Sequence, residues 1–359
     1  MKTKLWMLGA AVAALTSCTQ SEVVEIPESR VIGFDSFVGK NSRAAYLIQQ
    51  PGQMAPTTKD NLYQFWVLGY EGSDSIFDGT DDNAKVYWNT TNSGFTYDNH
   101  KIWHLNNTYN FAAYSDGNNG LTNSNAVQYS LIGTTGSKLV FNNYSVGEND
   151  LLAAIVPPIP INETGSNIAP VPLTFQHLLS CVKISLRNSS NNLFLKFDDI
   201  TFNGVIRDNC TYIIDNAVKS CVWDNTTSAT QTAATGAYTF DAPDDYLVPG
   251  ATLNLIAFVI PQSNDGVDIT ITANSYKKVT ENSQDYYNST AETVYNTTLE
   301  LTDTDNILPD HTKWQPGYQY HYSAEIAGTV HYIHFTVEKV ENWEPHNTTL
   351  STTSTTTEP

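Results

Sequence analysis

The sequence predicts an all-β protein. Aromatic residues are abundant, with 20 Tyr, 14 Phe and 7 Trp among 359 residues, and only 15% of the chain is charged against a usual share of about 25%. Such side chains suit a pleated, half-buried surface, and the plentiful Asn, Asp and Gly suit turns. Apolar residues also come in short alternating runs with hardly any helical period. Removing residues 1–17 as a signal segment leaves 359 − 17 = 342 residues, room for about two domains of ~100 to 200 residues each.

The chain opens with Lys2 and Lys4, an apolar run over residues 5–15, and Leu15-Thr16-Ser17-Cys18. This is the grammar of an export signal, too short to cross a membrane as a helix. Small residues before Cys18 mark its thiol as a lipid-attachment site. Residues 18–43 then form a leader. Within it, Ile32, Phe34 and Val38 share one face of an extended strand with Ser36, because side chains alternate. Arg43 follows in a polar, small-residue stretch before Ala44, where a trypsin-like protease would reach it. The plainer reading of the same stretch is a tether, a first strand and a linker.

Further strands are predicted in order. Residues 62–70 (LYQFWVLGY) form a run covered on both faces, and residues 78–83 an acidic turn. Residues 86–88, 102–103, 109–114, 139–141 and 151–156 follow. Pro157, Pro158, Pro160, Pro170 and Pro172 lack backbone donors, which argues against a sheet interior and places a domain boundary at residue 160. The predicted units are therefore 44–160 and 161–343. In the second, Val182, Ile184 and Leu186 alternate with Lys183, Ser185 and Arg187, and Val267, Ile269 and Ile271 alternate with Asp268, Thr270 and Thr272. Residues 253–260 (LNLIAFVI) read as a central strand. Residues 318–326 and 329–340 close the fold before Trp343. The tail, residues 344–359, is Thr/Ser-rich with few apolar anchors, a composition that does not fold.

Chemical motifs are scarce. There is no His-Glu-x-x-His, Gly-x-Ser-x-Gly, Walker loop or Gly-x-Gly-x-x-Gly. His331 and His334 fall on opposite faces of a strand, His100 and His104 flank an Ile-Trp strand, and His177 reads as a structural histidine. The Asp78 to Asn83 cluster lacks the spacing and bidentate Glu of a calcium loop. The chain reads as neither an enzyme nor a cofactor or metal protein. A net charge of −19 argues against nucleic acid and against electrostatic adsorption to anionic lipid. Membrane attachment then rests on the acyl chains, such as palmitate, at Cys18.

Besides Cys18 the cysteines are Cys181, Cys210 and Cys221. If Asp215-Asn216 is a two-residue turn, Cys210 lies opposite Cys221, at a separation that fits a cross-strand disulfide. The alternative is three reduced thiols.

Taken together, the residues resemble the fimbrillin family, lipoprotein subunits of the Bacteroidetes-type (type V) pilus. The resemblance rests on Leu15 to Cys18, on Arg43-Ala44, and on Tyr109-x-Phe111-Ala112-Ala113-Tyr114. It continues through Asp150-Leu151-Leu152-Ala153-Ala154, Phe175-x-His177-Leu178-x-x-x-Val182-x-Ile184, Trp314-x-Pro316-Gly317-x-x-Tyr320 and the run from Phe335 to Val340 before Trp343. It implies two tandem β-sandwich domains of transthyretin-like topology. It also implies an outer-membrane lipoprotein precursor cut after Arg43 and assembled with other pilus subunits by strand exchange, as a structural, tip or minor subunit of a surface fimbrium in cell adhesion, with a host or bacterial surface receptor as a further partner. The competing reading is a surface glycan-binding lipoprotein that keeps its leader.

Overall fold

The computed structural model describes residues 30–38, 62, 64–80, 82–116, 121, 126–132, 136–147, 149–162, 168–208, 210–216, 220–224, 234–240, 243–263, 267–298, 314–327 and 336–342. Cys18, Arg43, Ala44, His331, His334, Trp343 and the Thr/Ser tail lie outside them. Among the described residues there are strands and short turns but no α-helix. The strands of the first half are β1 (Phe34–Val38), β2 (Gln64–Glu71), β3 (Asp74–Asp78), β4 (Lys85–Asn89), β5 (Gly94–Thr96), β6 (Asn107–Ser115), β7 (Val127–Ile132), β8 (Gly136–Tyr144), β9 (Leu152–Ile155), β10 (Ile159–Ile161) and β11 (Val171–His177). Those of the second half are β12 (Ser180–Asn188), β13 (Leu193–Asp208), β14 (Cys210–Asp215), β15 (Ser220–Asp224), β16 (Ala234–Thr239), β17 (Thr252–Val259), β18 (Asp268–Glu281), β19 (Gln284–Thr298), β20 (Tyr318–Ile326) and β21 (Thr336–Asn342).

The second half is a β-sandwich. One sheet runs β17-β12-β20-β21 and the other β16-β13-β18-β19. Alternation turns Val182, Ile184 and Leu186 of β12 and Tyr320, Tyr322 and Ala324 of β20 inward, against Leu195, Phe197, Ile269 and Ile271 of the facing sheet. The Trp314-x-Pro316-Gly317-x-x-Tyr320 stretch closes one end. Trp314 is fully buried and donates its indole N–H to the Tyr322 hydroxyl at 3.0 Å, and the Gln315 N–H donates to the Tyr320 hydroxyl at 2.7 Å.

In the first half one sheet is ordered β1-β11-β9-β6-β2-β4-β5, with β3 on β2 and β10 on β6. Its inner face gathers Phe65, Val67, Phe111, Ala113, Leu152, Ala154, Leu173 and Phe175 into one core. The outer face of β2, β6 and β9 is apolar as well, since Trp66, Leu68, Ala112, Tyr114 and Ala153 are all buried. A third sheet, β15-β14-β8-β7, covers it. This second burial explains why residues 62–70 are apolar at nearly every position.

The third sheet takes two strands from each half of the chain, β8 pairing directly with β14. Position 160, expected to divide the domains, falls inside β10, and β11 beyond it still belongs to the first sheet. The prolines are accommodated at the margins. Pro172 sits where β11 pairs with β1 alone, because β9 reaches only Gln176 and His177, so the missing N–H faces no partner strand. Residues 253–260 cover all but the first residue of β17, together with the residue after it, and β17 is an edge strand rather than a central one. They are apolar because Leu255, Ala257 and Val259 face the sandwich core while Phe258 and Ile260 join the cluster beneath the third sheet.

The hairpin β14–β15 also corrects the cysteine count. Asp215 pairs with Ser220, so the loop spans 216–219, and Cys221 lies opposite Ile214 rather than Cys210. Four residues of strand separate Cys210 from that partner, about 13 Å along the strand and beyond disulfide reach. Cys181 and Cys210 are buried free thiols, and burial pushes them up to about 12 and about 11. Both are expected to resist iodoacetamide in the folded chain near about pH 8 and to react fully, without reductant, once guanidinium unfolds it. A Cys210–Cys221 peptide in an unreduced digest would contradict this register.

Candidate functional site

The site is the groove that residues 30–38 occupy. β1 lies parallel to β11, with Phe34 opposite Val171, Ser36 opposite Leu173 and Val38 opposite Phe175. The Val171 N–H donates to the Gly33 carbonyl at 2.8 Å. Just upstream the same segment is held from its other side. The Ile32 N–H donates to the Lys101 carbonyl at 2.8 Å, and the Trp103 N–H donates to the Arg30 carbonyl at 2.9 Å, around the antiparallel bridge of Val31 to Ile102. Residues 30–38 therefore close the seam between β11 and the strap that follows β5.

Side chains make the closure a core contact. Ile32 is 0% and Phe34 5% exposed, while Asp35 faces solvent. The Phe34 ring stands edge-on to four others, with centroids at 6.4 Å from Phe65, 5.7 Å from Phe77, 5.7 Å from Tyr97 and 5.6 Å from Phe111. Such pairs add about 0.5 to 1.5 kcal/mol each beyond their area burial. The Tyr97 hydroxyl donates to the Ile32 carbonyl at 2.9 Å and accepts from the Lys101 N–H at 3.1 Å. Burial pushes that phenol up to about 12, so it stays a neutral donor at any physiological pH.

Of the residues expected from sequence, Ile32 and Phe34 enter this groove. The backbone of Val38 pairs with that of Phe175 at the end of the same ladder. Tyr97, Phe77 and the 101–103 strap escaped notice, although residues 102–103 were expected to be extended. Their part depends on a long-range return of the chain that no local pattern encodes.

The histidines and acids do other work. Near one end of β11, the His177 ring nitrogen Nδ1 hydrogen-bonds Asp150, and both side chains are fully buried. Burial raises the Asp150 carboxyl above its ordinary value, against the opposing pull of His177. The pair joins the Asp150-Leu151-Leu152-Ala153-Ala154 and Phe175-x-His177-Leu178 stretches at the point where β9 meets β11. His104 binds Glu71 at 2.7 Å on the surface. Asp78 accepts the Thr80 N–H at 2.9 Å within its own turn. Gly79 there has φ +80, and a Cβ would come within 2.5 Å of Leu68, so the turn admits glycine alone. Among the described residues no three His, Cys, Asp or Glu side chains converge as a metal centre requires.

The sequence signature of the fimbrillin-like family matches residues 54–343. The chain belongs to the fimbrillin-like family. Solved structures similar to this fimbrillin-like chain include a fimbrial protein from Bacteroides vulgatus, 12% identical over 88% of this chain and 99% of that one, with a TM-score of 0.48. A candidate cell adhesion protein from Bacteroides uniformis is 16% identical over 88% and 100% of the two chains, with a TM-score of 0.49. Another from Bacteroides fragilis is 14% identical over 89% and 100%, with a TM-score of 0.44. No curated protein sequence matches the chain significantly. Residues 30–38 precede the family match, and their hold on the fold is measurable. Phe34→Ala is expected to destabilise the full chain by about 3 to 5 kcal/mol in denaturant unfolding, whereas Asp35→Ala should change it by less than about 0.5 kcal/mol.

Proposed function

We propose that this chain is a structural, tip or minor subunit of a surface fimbrium serving cell adhesion. It is made as an outer-membrane lipoprotein through Cys18, activated by cleavage between Arg43 and Ala44, and joined to other subunits by donor-strand exchange. Membership of the fimbrillin-like family supports the subunit role. One observation carries the strand exchange: Ile32 and Phe34 are core residues on a segment whose backbone pairs only along a seam. A segment of that kind can be removed without unravelling a central strand, and its loss leaves both unpaired ladder groups and an apolar slot. An exposed edge beside an apolar slot favours strand addition.

Burial of Ile32 and Phe34 contributes about 1.5 to 3 kcal/mol each. While the leader is covalently joined, its effective concentration in the slot is near ~1 mM, so a donor strand in trans competes poorly. Cleavage makes the leader an ordinary, diffusible competitor. Trypsin-like cleavage is expected to convert the precursor into a form that binds a donor peptide or partner subunit, and an Arg43→Ala precursor should remain inert under the same treatment. Equal assembly by the uncut variant, or a cut protein with no affinity for any strand, would sink the activation step.

Lipid attachment is tested separately. A Cys18→Ala precursor should leave the membrane fraction, or accumulate unprocessed with its signal attached. Its normal fractionation with outer membrane would place the anchor elsewhere.

A further inference from the structure

The solvent face of the sheet β16-β13-β18-β19 is polar along most of its length. On β18, Ile269, Ile271 and Ala273 face the core, so Thr270, Thr272 and Asn274 face outward. The next outward position is Tyr276, and there the chemistry changes. Tyr276 pairs across the sheet with Phe194 of β13. Tyr246, in the turn that bridges to β13 through Leu247 and Leu195, stacks on Tyr287 of β19 with centroids 4.2 Å apart and planes 15° apart. Tyr276 stands edge-on to Tyr246 at 5.0 Å and Phe194 edge-on to Tyr287 at 5.3 Å. Val248 beside them is 46% exposed. The three tyrosine hydroxyls make no hydrogen bond to protein among the described residues.

A polar rung borders this aromatic one. Lys196 is paired with Asn274, two residues along from the pair of Phe194 with Tyr276. The Asn274 amide donates to the Asp198 carboxylate. Two residues of strand span about 6.8 Å, a length comparable to one sugar ring. A pyranose laid across these rungs would rest its C–H face on aromatic rings and offer its hydroxyls to an ammonium, an amide, a carboxylate and phenols.

We propose that this face is a carbohydrate-binding platform for neutral pyranose units of a surface polysaccharide. Three observations choose this occupant. The patch is ring-rich and hydroxyl-bearing rather than aliphatic. Its charges are balanced, with Lys278 paired to Asp285 at 2.7 Å, in a chain whose net charge of −19 repels polyanions. Finally, five partly covered side chains framed by polar residues fall well short of the ~800 Å² per partner that a stable protein interface buries. The platform lies on the second-half sandwich, away from the leader groove, so its activity is independent of assembly.

The test uses the full chain, uncut and unassembled, in native gels containing a soluble β-glucan, a galactomannan or a mannan. Retardation is expected in at least one gel. Tyr276→Thr and Lys196→Thr, both suited to an outward strand position, should each weaken the apparent affinity about tenfold or more while thermal unfolding, and donor-strand binding once the chain has been cut, stay as in the parent. Three unretarded gels would overturn the proposal. So would variants retarded like the parent, or a concentration-dependent dimer abolished by the same substitutions, which would make the occupant a second copy. If the variants bind as weakly as expected but also unfold at markedly lower temperature, Lys277→Thr, on the opposite side of the strand, serves as the control. Equal loss of binding in that control would also refute the platform.

Discussion

The fold of the first half depends on one edge-on insertion, the Phe34 ring among Phe65, Phe77, Tyr97 and Phe111. Those four rings come from β2, β3, β6 and the stretch after β5, and the Phe34 ring touches all of them at once. Without the Phe34 ring the inner face would hold a void lined by aromatic carbons, and interiors do not tolerate such voids cheaply. The backbone reinforces the same point, since the segment takes a parallel ladder from β11 and an antiparallel bridge from residues 101–103. A segment lying near the chain start thus completes a core that is otherwise built from residues far along the sequence.

What keeps the groove in shape is the third sheet. Tyr114, Leu68 and Ala112 are buried behind the core that holds Phe34, against Phe141 of β8 and Tyr212 of β14. Because β14 belongs to the second half, the two halves share this layer and cannot shear freely past each other. The 177–180 segment is the crossing point. The Leu178 carbonyl accepts the Trp223 indole N–H at 2.7 Å, the Leu179 carbonyl accepts the Gly317 N–H at 3.0 Å, and the Ser180 hydroxyl donates to the Gln315 carbonyl at 2.7 Å. The buried His177–Asp150 pair stands at its head, where an unpaired charge would be costly. A rigid back wall keeps the slot around Phe34 in form, as the proposed strand exchange would require.

The all-β class and many strands were legible from alternation alone, and residues 318–326 emerge as β20. The edge position of β17 was not. Its apolar run reports burial on two faces, and burial on two faces does not distinguish a central strand from an edge strand under a third layer. The hairpin turns failed for a related reason. Asp215-Asn216 carries good turn chemistry, yet the loop spans 216–219, whereas the turn between β18 and β19 uses Asn282 and Ser283, both with positive φ, as a type I′ hairpin turn requires. Local propensity proposes several turns, and pairing with β8 selects one. Likewise Ile32 and Phe34 could be read as a strand face, but Tyr97 and Phe77 could not be read as its walls, because the sequence carries no signal for contacts some 40 to 60 residues apart.

The geometry also constrains how such a groove can be switched. A strand held on two sides by backbone and below by rings gains little from small changes in solution conditions. The Tyr97 phenol, raised to about 12, does not titrate near neutrality, and Asp35, the charged group on the strand's described face, points to solvent. Nor can a competing strand win by modest improvements in packing, since the resident segment already fills the slot and is tethered to it. The proposed release therefore rests on a change in covalent connection rather than in protonation or ligand occupancy. In the proposed exchange, cutting that connection would let the same aromatic cage favour whichever strand presents an apolar ring at the Phe34 position, and the free energy that closes the fold would then hold two chains together.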